Sequence, residues 1–98
     1  MEGEMATPRL SDAEVEVRLR ELDSWKLKDG KIVRELKFPS FLDAIEFIGL
    51  IAPVAEAADH HPEIYNVYNR VDLALVTHDS GGITEKDFDL AEQIDRLV

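Results

Sequence analysis

The Asp29-Gly30 pair lies between two segments of alternating side chains, and this arrangement constrains the fold more than any other feature of the chain. Before it, Trp25 and Leu27 alternate with lysines. After it, Ile32, Leu36 and Phe38 share one face at period two, with Arg34 the exception. Period two is the repeat of a strand, and Asp-Gly between two such runs is a strong hairpin signal. Two antiparallel strands are predicted here.

On either side of this hairpin the spacing changes to that of helices. Ser11-Asp12-Ala13-Glu14 reads as a capping box, with Leu10 and Val15 placed as a hydrophobic staple. A first helix is expected to run to about Leu22. Met1 to Arg9 are polar and small and are expected to fray, so the folded domain is taken as Leu10 to Val98. Pro39-Ser40 begins a long helix in which Phe41, Ile45, Ile48, Ala52 and Ala55 fall on one face. Pro53 presses on the carbonyl of Gly49 and removes one backbone bond, so a kink is expected there and not a break. Pro62 closes this helix. Tyr65 to Tyr68 and Val71 to Thr77 form a second hairpin, with Asn69-Arg70 as its turn. Ser80-Gly81-Gly82 is a loop. Thr84-Glu85-Lys86-Asp87 is another capping box, with Ile83 and Phe88 as its staple, and a last helix runs close to Leu97. The order α-β-β-α-β-β-α implies one α+β domain: a four-stranded antiparallel sheet with helices on one face.

The charge balance narrows the function. Eleven basic against 21 acidic residues leave a net charge of −10, which repels phosphate backbones and anionic membranes. Neither nucleic acid nor membrane is therefore an expected partner. No apolar run approaches the ~20 residues that cross a bilayer, and the stretch from Met1 to Pro8 lacks the pattern of a signal peptide. The chain has no cysteine, which removes disulfides and thiolate chemistry. A cytoplasmic location is expected. With 98 residues the core is thin, and oligomerisation is one way to add burial.

The three histidines stand near the ends of predicted elements, His60 and His61 at the end of the long helix and His78 at the end of the last strand. Where those ends meet at one rim, the imidazoles converge. Imidazole gives or takes a proton near neutral pH, so two of them on opposite sides of a substrate serve as acid and base. Two other roles compete. Histidines at a helix C-terminus also favour the helix dipole and cap carbonyls. Three imidazoles also suit a zinc ion with an open position. Neighbouring helix positions, however, point about 100° apart and the i, i+4 spacing is absent, so no metal is expected.

The run Glu56-Ala57-Ala58-Asp59-His60-His61-Pro62-Glu63-Ile64-Tyr65-Asn66-Val67-Tyr68-Asn69 resembles the signature of the pterin-4a-carbinolamine dehydratases. That pattern continues to Thr77-His78 and to Asp87. The resemblance implies the fold described above and a site in which His60, His61 and His78 line a pterin pocket. It also implies substrate contacts from Asp59, Val76 and Thr77. Glu56 and Asp87 match acids of the signature; Glu56 has the alternative of a solvated helix residue, and Asp87 that of merely closing its capping box.

The reaction so implied is loss of water from a 4a-hydroxytetrahydropterin, in the recycling of tetrahydrobiopterin. No hydride moves and the chain has no Gly-rich nucleotide loop, so no cofactor is expected. His60 and His78 are expected to exchange protons around the 4a-hydroxyl, and His61 to orient and polarise the ring. Sequence does not decide which histidine performs which step. The resemblance also implies a homodimer or homotetramer. It leaves a non-catalytic alternative, since some members of this fold family act as transcriptional coactivators or assembly chaperones.

Overall fold

The computed structural model describes residues 7–98. Four strands, β1 (Lys26–Lys28), β2 (Lys31–Lys37), β3 (Glu63–Val67) and β4 (Arg70–Leu75), form one antiparallel sheet in the order β1-β2-β4-β3. Helices α1 (Asp12–Leu19), α2 (Phe41–Ala58) and α3 (Glu85–Asp95) complete the order α-β-β-α-β-β-α. Val71, Leu73 and Leu75 of β4 are fully buried, whereas Asp72 and Ala74 between them are half-buried. The helices therefore cover one face of the sheet, as the alternation requires. Ile32 from β2, Phe47 and Ile51 from α2, and Phe88, Ala91 and Ile94 from α3 fill the layer between them. The frayed segment expected over Met1 to Arg9 falls, as far as Ala6, outside the described residues. Thr7 and Leu10 hydrogen-bond to Ser80 and Ile83.

The first hairpin forms where the sequence places it. Asp29 and Gly30 take φ of 53° and 76°, and Lys28 pairs with Lys31 across them. Successive positive φ values give a two-residue turn the twist that matches its strands. Arg34, the exception in the apolar row, does point to the core face. Its guanidinium lies 2.5 Å from Asp95 Oδ1 on α3, and Trp25 Nε1–H donates to the same oxygen at 2.8 Å. The ion pair and the indole bond offset the burial of a cation there.

Several boundaries differ from expectation. β3 begins at Glu63 and not at Tyr65, and β4 ends at Leu75 and not at Thr77, so that His78 opens a short 3-10 turn (His78–Ser80) beyond the strand. The first helix ends at Leu19, and the chain reaches Leu22 through i→i−3 bonds from Arg20, Glu21 and Leu22, a tighter winding. The second turn is Tyr68-Asn69, one residue earlier than expected, because Val67 pairs with Arg70. Asn69 is fixed to the end of β2: its Nδ2 donates to Phe38 O and its carbonyl accepts from Phe38 N, each at 2.8 Å. Tyr68 then takes a positive φ of 51° to close the turn. Finally, α2 ends at Ala58, before Pro62, for a reason set out below. Pro53 does not break α2, which is continuous over 18 residues.

Both capping boxes are present. In the first, Ser11 Oγ accepts from Glu14 N at 3.1 Å and Glu14 Oε1 accepts from Ser11 N at 2.8 Å. These bonds hold the Glu14 carboxyl below the usual carboxylate range. A lowered folded-state value means that its stabilisation is present above the ordinary glutamate range and is lost as pH falls through the lowered value. Glu14→Gln, which removes the charge that accepts from Ser11 N, is expected to be less stable than the wild type at neutral pH. The deficit should narrow as pH falls below the ordinary glutamate range. Urea unfolding of both proteins across that range measures it; a deficit that stays constant with pH would show that the box does not act through the Glu14 charge.

Candidate active site

Helix α2 stops because Asp59 turns left-handed, with φ 51° and ψ 41°. The N–H of Asp59 bonds to Glu56 O and that of His60 to Ala55 O, so the last carbonyls of the helix are satisfied. A non-glycine residue in this region costs of order 1 kcal/mol, and aspartate is among those that tolerate it. The turn throws His60 and His61 beyond the helix into extended chain. The 100° divergence expected of neighbouring helix positions therefore does not apply to them. Even so, among the described residues no group of three His, Asp or Glu side chains is arranged to hold a metal ion.

His60, His61 and His78 line one cleft of about 340 Å³. Asp59 and Lys86 also line it, and Val76, Thr77 and Asp79 form the wall at the end of β4. The expected convergence of strand end and helix end is thus present. Asp79 and Lys86 are the two lining residues that the sequence reading missed. Their signal is adjacency: each neighbours a singled-out residue, His78 or Asp87. Glu56 and Asp87 do not line the cleft. Each stands behind a histidine.

Asp87 is fully buried in the first turn of α3. Its Oδ1 lies 2.5 Å from His60 Nε2. Its Oδ2 accepts from Thr77 Oγ1 and from Thr84 N, both at 2.9 Å. Thr77 has one hydroxyl proton and gives it to Asp87, so the 2.7 Å Thr77–Thr84 bond must be donated by Thr84. An ionised carboxylate only accepts, which sets His60 Nε2 as the N–H donor. Nδ1 of His60 has no hydrogen-bond partner among the described residues. Burial of His60 is nearly complete, with 12% of its side chain exposed, so the ring is held firmly.

The other two imidazoles are held more loosely. His61 Nε2 lies 2.9 Å from Glu56 Oε1, on side chains 58% and 82% exposed, a pair worth little energetically. The His78 side chain is 77% exposed, and its nearest carboxylate oxygen, Glu63 Oε2, is 3.8 Å away. Glu63 itself is engaged by Lys31 Nζ at 2.8 Å. The site thus holds one nearly buried imidazole and two exposed ones around a polar cleft. Such a set moves protons to and from a bound molecule without a nucleophile or a nucleotide.

Comparison with known proteins agrees with the residues. Positions 8–97 match the family described as pterin 4 alpha carbinolamine dehydratase. A protein of Picosynechococcus sp., provisionally named a pterin-4-alpha-carbinolamine dehydratase, is 50% identical over 93 residues, spanning 95% of this chain and all of that one. A Sulfolobus acidocaldarius protein of the same provisional name is 42% identical over 89 residues, 91% of this chain and 98% of its own. A crystal structure from Brucella melitensis, described as a transcriptional coactivator/pterin dehydratase, superposes with a TM-score of 0.86 at 43% identity, over 91% of this chain and 97% of that one. A pterin dehydratase-like protein identified as a RuBisCO assembly factor in the alpha-carboxysome shares the fold, with a TM-score of 0.60 at 22% identity over 74% of this chain and 84% of its own. Match, identity and coverage together place the chain in the pterin-4-alpha-carbinolamine dehydratase family.

Proposed function

We propose that the protein dehydrates 4a-hydroxytetrahydropterin to quinonoid dihydropterin by histidine acid–base catalysis, in the recycling of tetrahydrobiopterin. The observation that carries this reading is the cleft itself: three imidazoles face one space, and one of them is backed by a buried carboxylate. In the reaction the C4a–O bond breaks, and hydroxide leaves as water only if an acid protonates it. The electrons of the N5–H bond become the C4a=N5 bond as a base takes the proton. His60 and His78 donate and accept these two protons, and His61 orients and polarises the ring. Asp59, Val76 and Thr77 contact the pterin. Glu56 and Asp87 act through the histidines they hold, and so are positioning residues.

A cytoplasmic location fits a chain without cysteine in which, among the described residues, no helix is long and apolar enough to cross a membrane. A homodimer or homotetramer fits the outer side of α2, where Leu42 is 76% exposed beside exposed Phe41, Ile45 and Leu50. The non-catalytic alternative, a coactivator or assembly chaperone, predicts a rate that follows the uncatalysed background at every pH.

The test is the rate above background over about pH 5 to 9, the range in which imidazole titrates. A bell shape is expected, its limbs belonging to the site as a whole. His60→Gln and His78→Gln should each lose about 10²- to 10⁴-fold and one limb. If both retain rate and profile, the histidines are structural.

Asp87→Asn separates positioning from contact. The amide NH₂ facing His60 Nε2 requires that nitrogen to accept, which moves the ring proton to Nδ1. The expected result is a fall in kcat of about 10²-fold with little change in KM, and loss of the base limb. Unfolding free energy should drop by about 2 kcal/mol, the scale for weakening a buried charged hydrogen-bond acceptor. A rise in KM at unchanged kcat would instead make Asp87 a substrate contact.

A further inference from the structure

His78 differs from the other two imidazoles in how it is placed. His60 is fixed by Asp87 and His61 by Glu56, each through its ring Nε2. Among the described residues no hydrogen bond fixes the His78 ring, and its side chain is largely exposed. Its position is therefore inherited from its backbone, a tight loop from Thr77 to Gly82. Thr77 and Gly82 exchange backbone bonds of 3.0 and 3.3 Å, and the N–H groups of Ser80 and Gly81 turn back to Thr77 O and His78 O. Gly81 takes a φ of 73°, open to glycine at little cost. These bonds define the shape of the loop. They do not fix its attitude to the rest of the site.

The outer side of the loop is held by the segment that precedes α1. Leu10 N donates to Ile83 O at 2.9 Å, at the base of the loop. Ser80 Oγ donates to the carbonyl of Thr7. Among the described residues this is the only side-chain hydrogen bond made from within His78–Gly82. Arg9 lies flat on Gly82: a Cβ there would stand 2.7 Å from Arg9 Nε and 2.9 Å from its Cδ. Gly82 is thus the seat of the Arg9 side chain, and a side chain at that position would displace it. Thr7 and Arg9 pin the two sides of the loop immediately after His78.

We infer that Thr7 to Leu10 is a strap that positions His78, with Arg9 and Ser80 as the positioning residues. The inference rests on the dehydratase reading for its catalytic consequence. The strap acts on one imidazole. Arg9 and Ser80 belong to neither the capping boxes, the buried Asp87 network nor the core, so loosening the strap at these two residues leaves stability nearly intact.

The test uses the full chain carrying Arg9→Ala and Ser80→Ala together. Turnover above background should fall about tenfold in kcat with KM nearly unchanged, less than the ~100-fold that a 1 Å misplacement can cost. The melting temperature should move by less than about 3 °C, under 1 kcal/mol for a domain of this size. Ser80→Thr, which keeps the hydroxyl, should retain the rate. In a His78→Gln background the double change should have no further effect, because the group it positions is gone. The His78 ring signal in a proton–carbon NMR spectrum should shift or broaden in the double variant, while that of His60 stays in place. The strap is overturned if the double variant leaves kcat and the His78 signal unchanged, or if it lowers the rate by the same factor in the His78→Gln background. Were the wild type to show no turnover above background, the dehydratase reading would fail, and the NMR comparison would still decide whether the strap places His78.

Discussion

The buried carboxylate of Asp87 is the point on which the site depends. Removing a carboxylate from water costs several kcal/mol unless donors replace the lost hydration. Here the donors come from three places in the chain: His60 just beyond α2, Thr77 just beyond β4, and the backbone of Thr84 at the start of α3. The helix adds its own field, because a negative charge in the first turn is favoured by the macrodipole. Each donor is therefore needed by the same charge, and the charge fixes three element ends relative to one another. The cleft lies where those ends meet. A single apolar residue in place of Asp87 would fill the volume but would leave Thr84 N–H, the Thr77 hydroxyl and His60 without their partner.

Of the three imidazoles, only His60 is held by this charge. His60 is locked to Asp87, whereas His61 and His78 sit at the exposed edge. This difference suits a dehydration in which one proton goes to a departing hydroxyl and another is taken from a ring nitrogen. A fixed ring provides a defined direction for one transfer. An exposed ring re-equilibrates with water between turnovers and so resets the site. The cost is that an exposed ring contributes nothing to its own placement, and the loop that carries it has to be held from outside.

Much of this arrangement is legible in the sequence because it is local. Asp29-Gly30 and the two capping boxes are short-range patterns, and each appears where its chemistry requires; the face of α2 read from spacing does not, because Ala44, Phe47, Ile51 and Ala55 are buried while Phe41, Ile45 and Ala52 are exposed. The turn at Tyr68-Asn69 is not legible in this way. It is set by Asn69 reaching Phe38, a contact across the sheet, and nothing in Tyr68 marks it for a positive φ. The same holds for the end of α2. Pro62 is the visible stop signal, yet Asp59 ends the helix earlier, and its left-handed turn carries the two histidines off the helix. The spacing of the histidines marks a candidate site, but the part played by Asp87 depends on which way its side chain faces. Sequence allows it to touch substrate or to cap a helix. In the structure it caps α3 and also holds His60 from behind, so neither alternative alone was complete.

Catalysis and association need not compete for surface. The cleft lies beyond the C-terminal end of α2, whereas Phe41, Leu42 and Ile45 are exposed at its N-terminal end. A helix of 18 residues is about 27 Å long. A second copy or another partner covering the exposed side of α2 would thus dock between about 12 Å of helix, at Leu50, and about 25 Å, at Phe41, from the end that carries the histidines. The two ends also face different demands. The patch gains from being dry, since apolar area stabilises a contact only when water leaves it. Under the proposed dehydration, the cleft has to stay wet enough to release the water formed. One helix separates the two requirements by its length, so a member of this fold could lose either role while keeping the scaffold of the other.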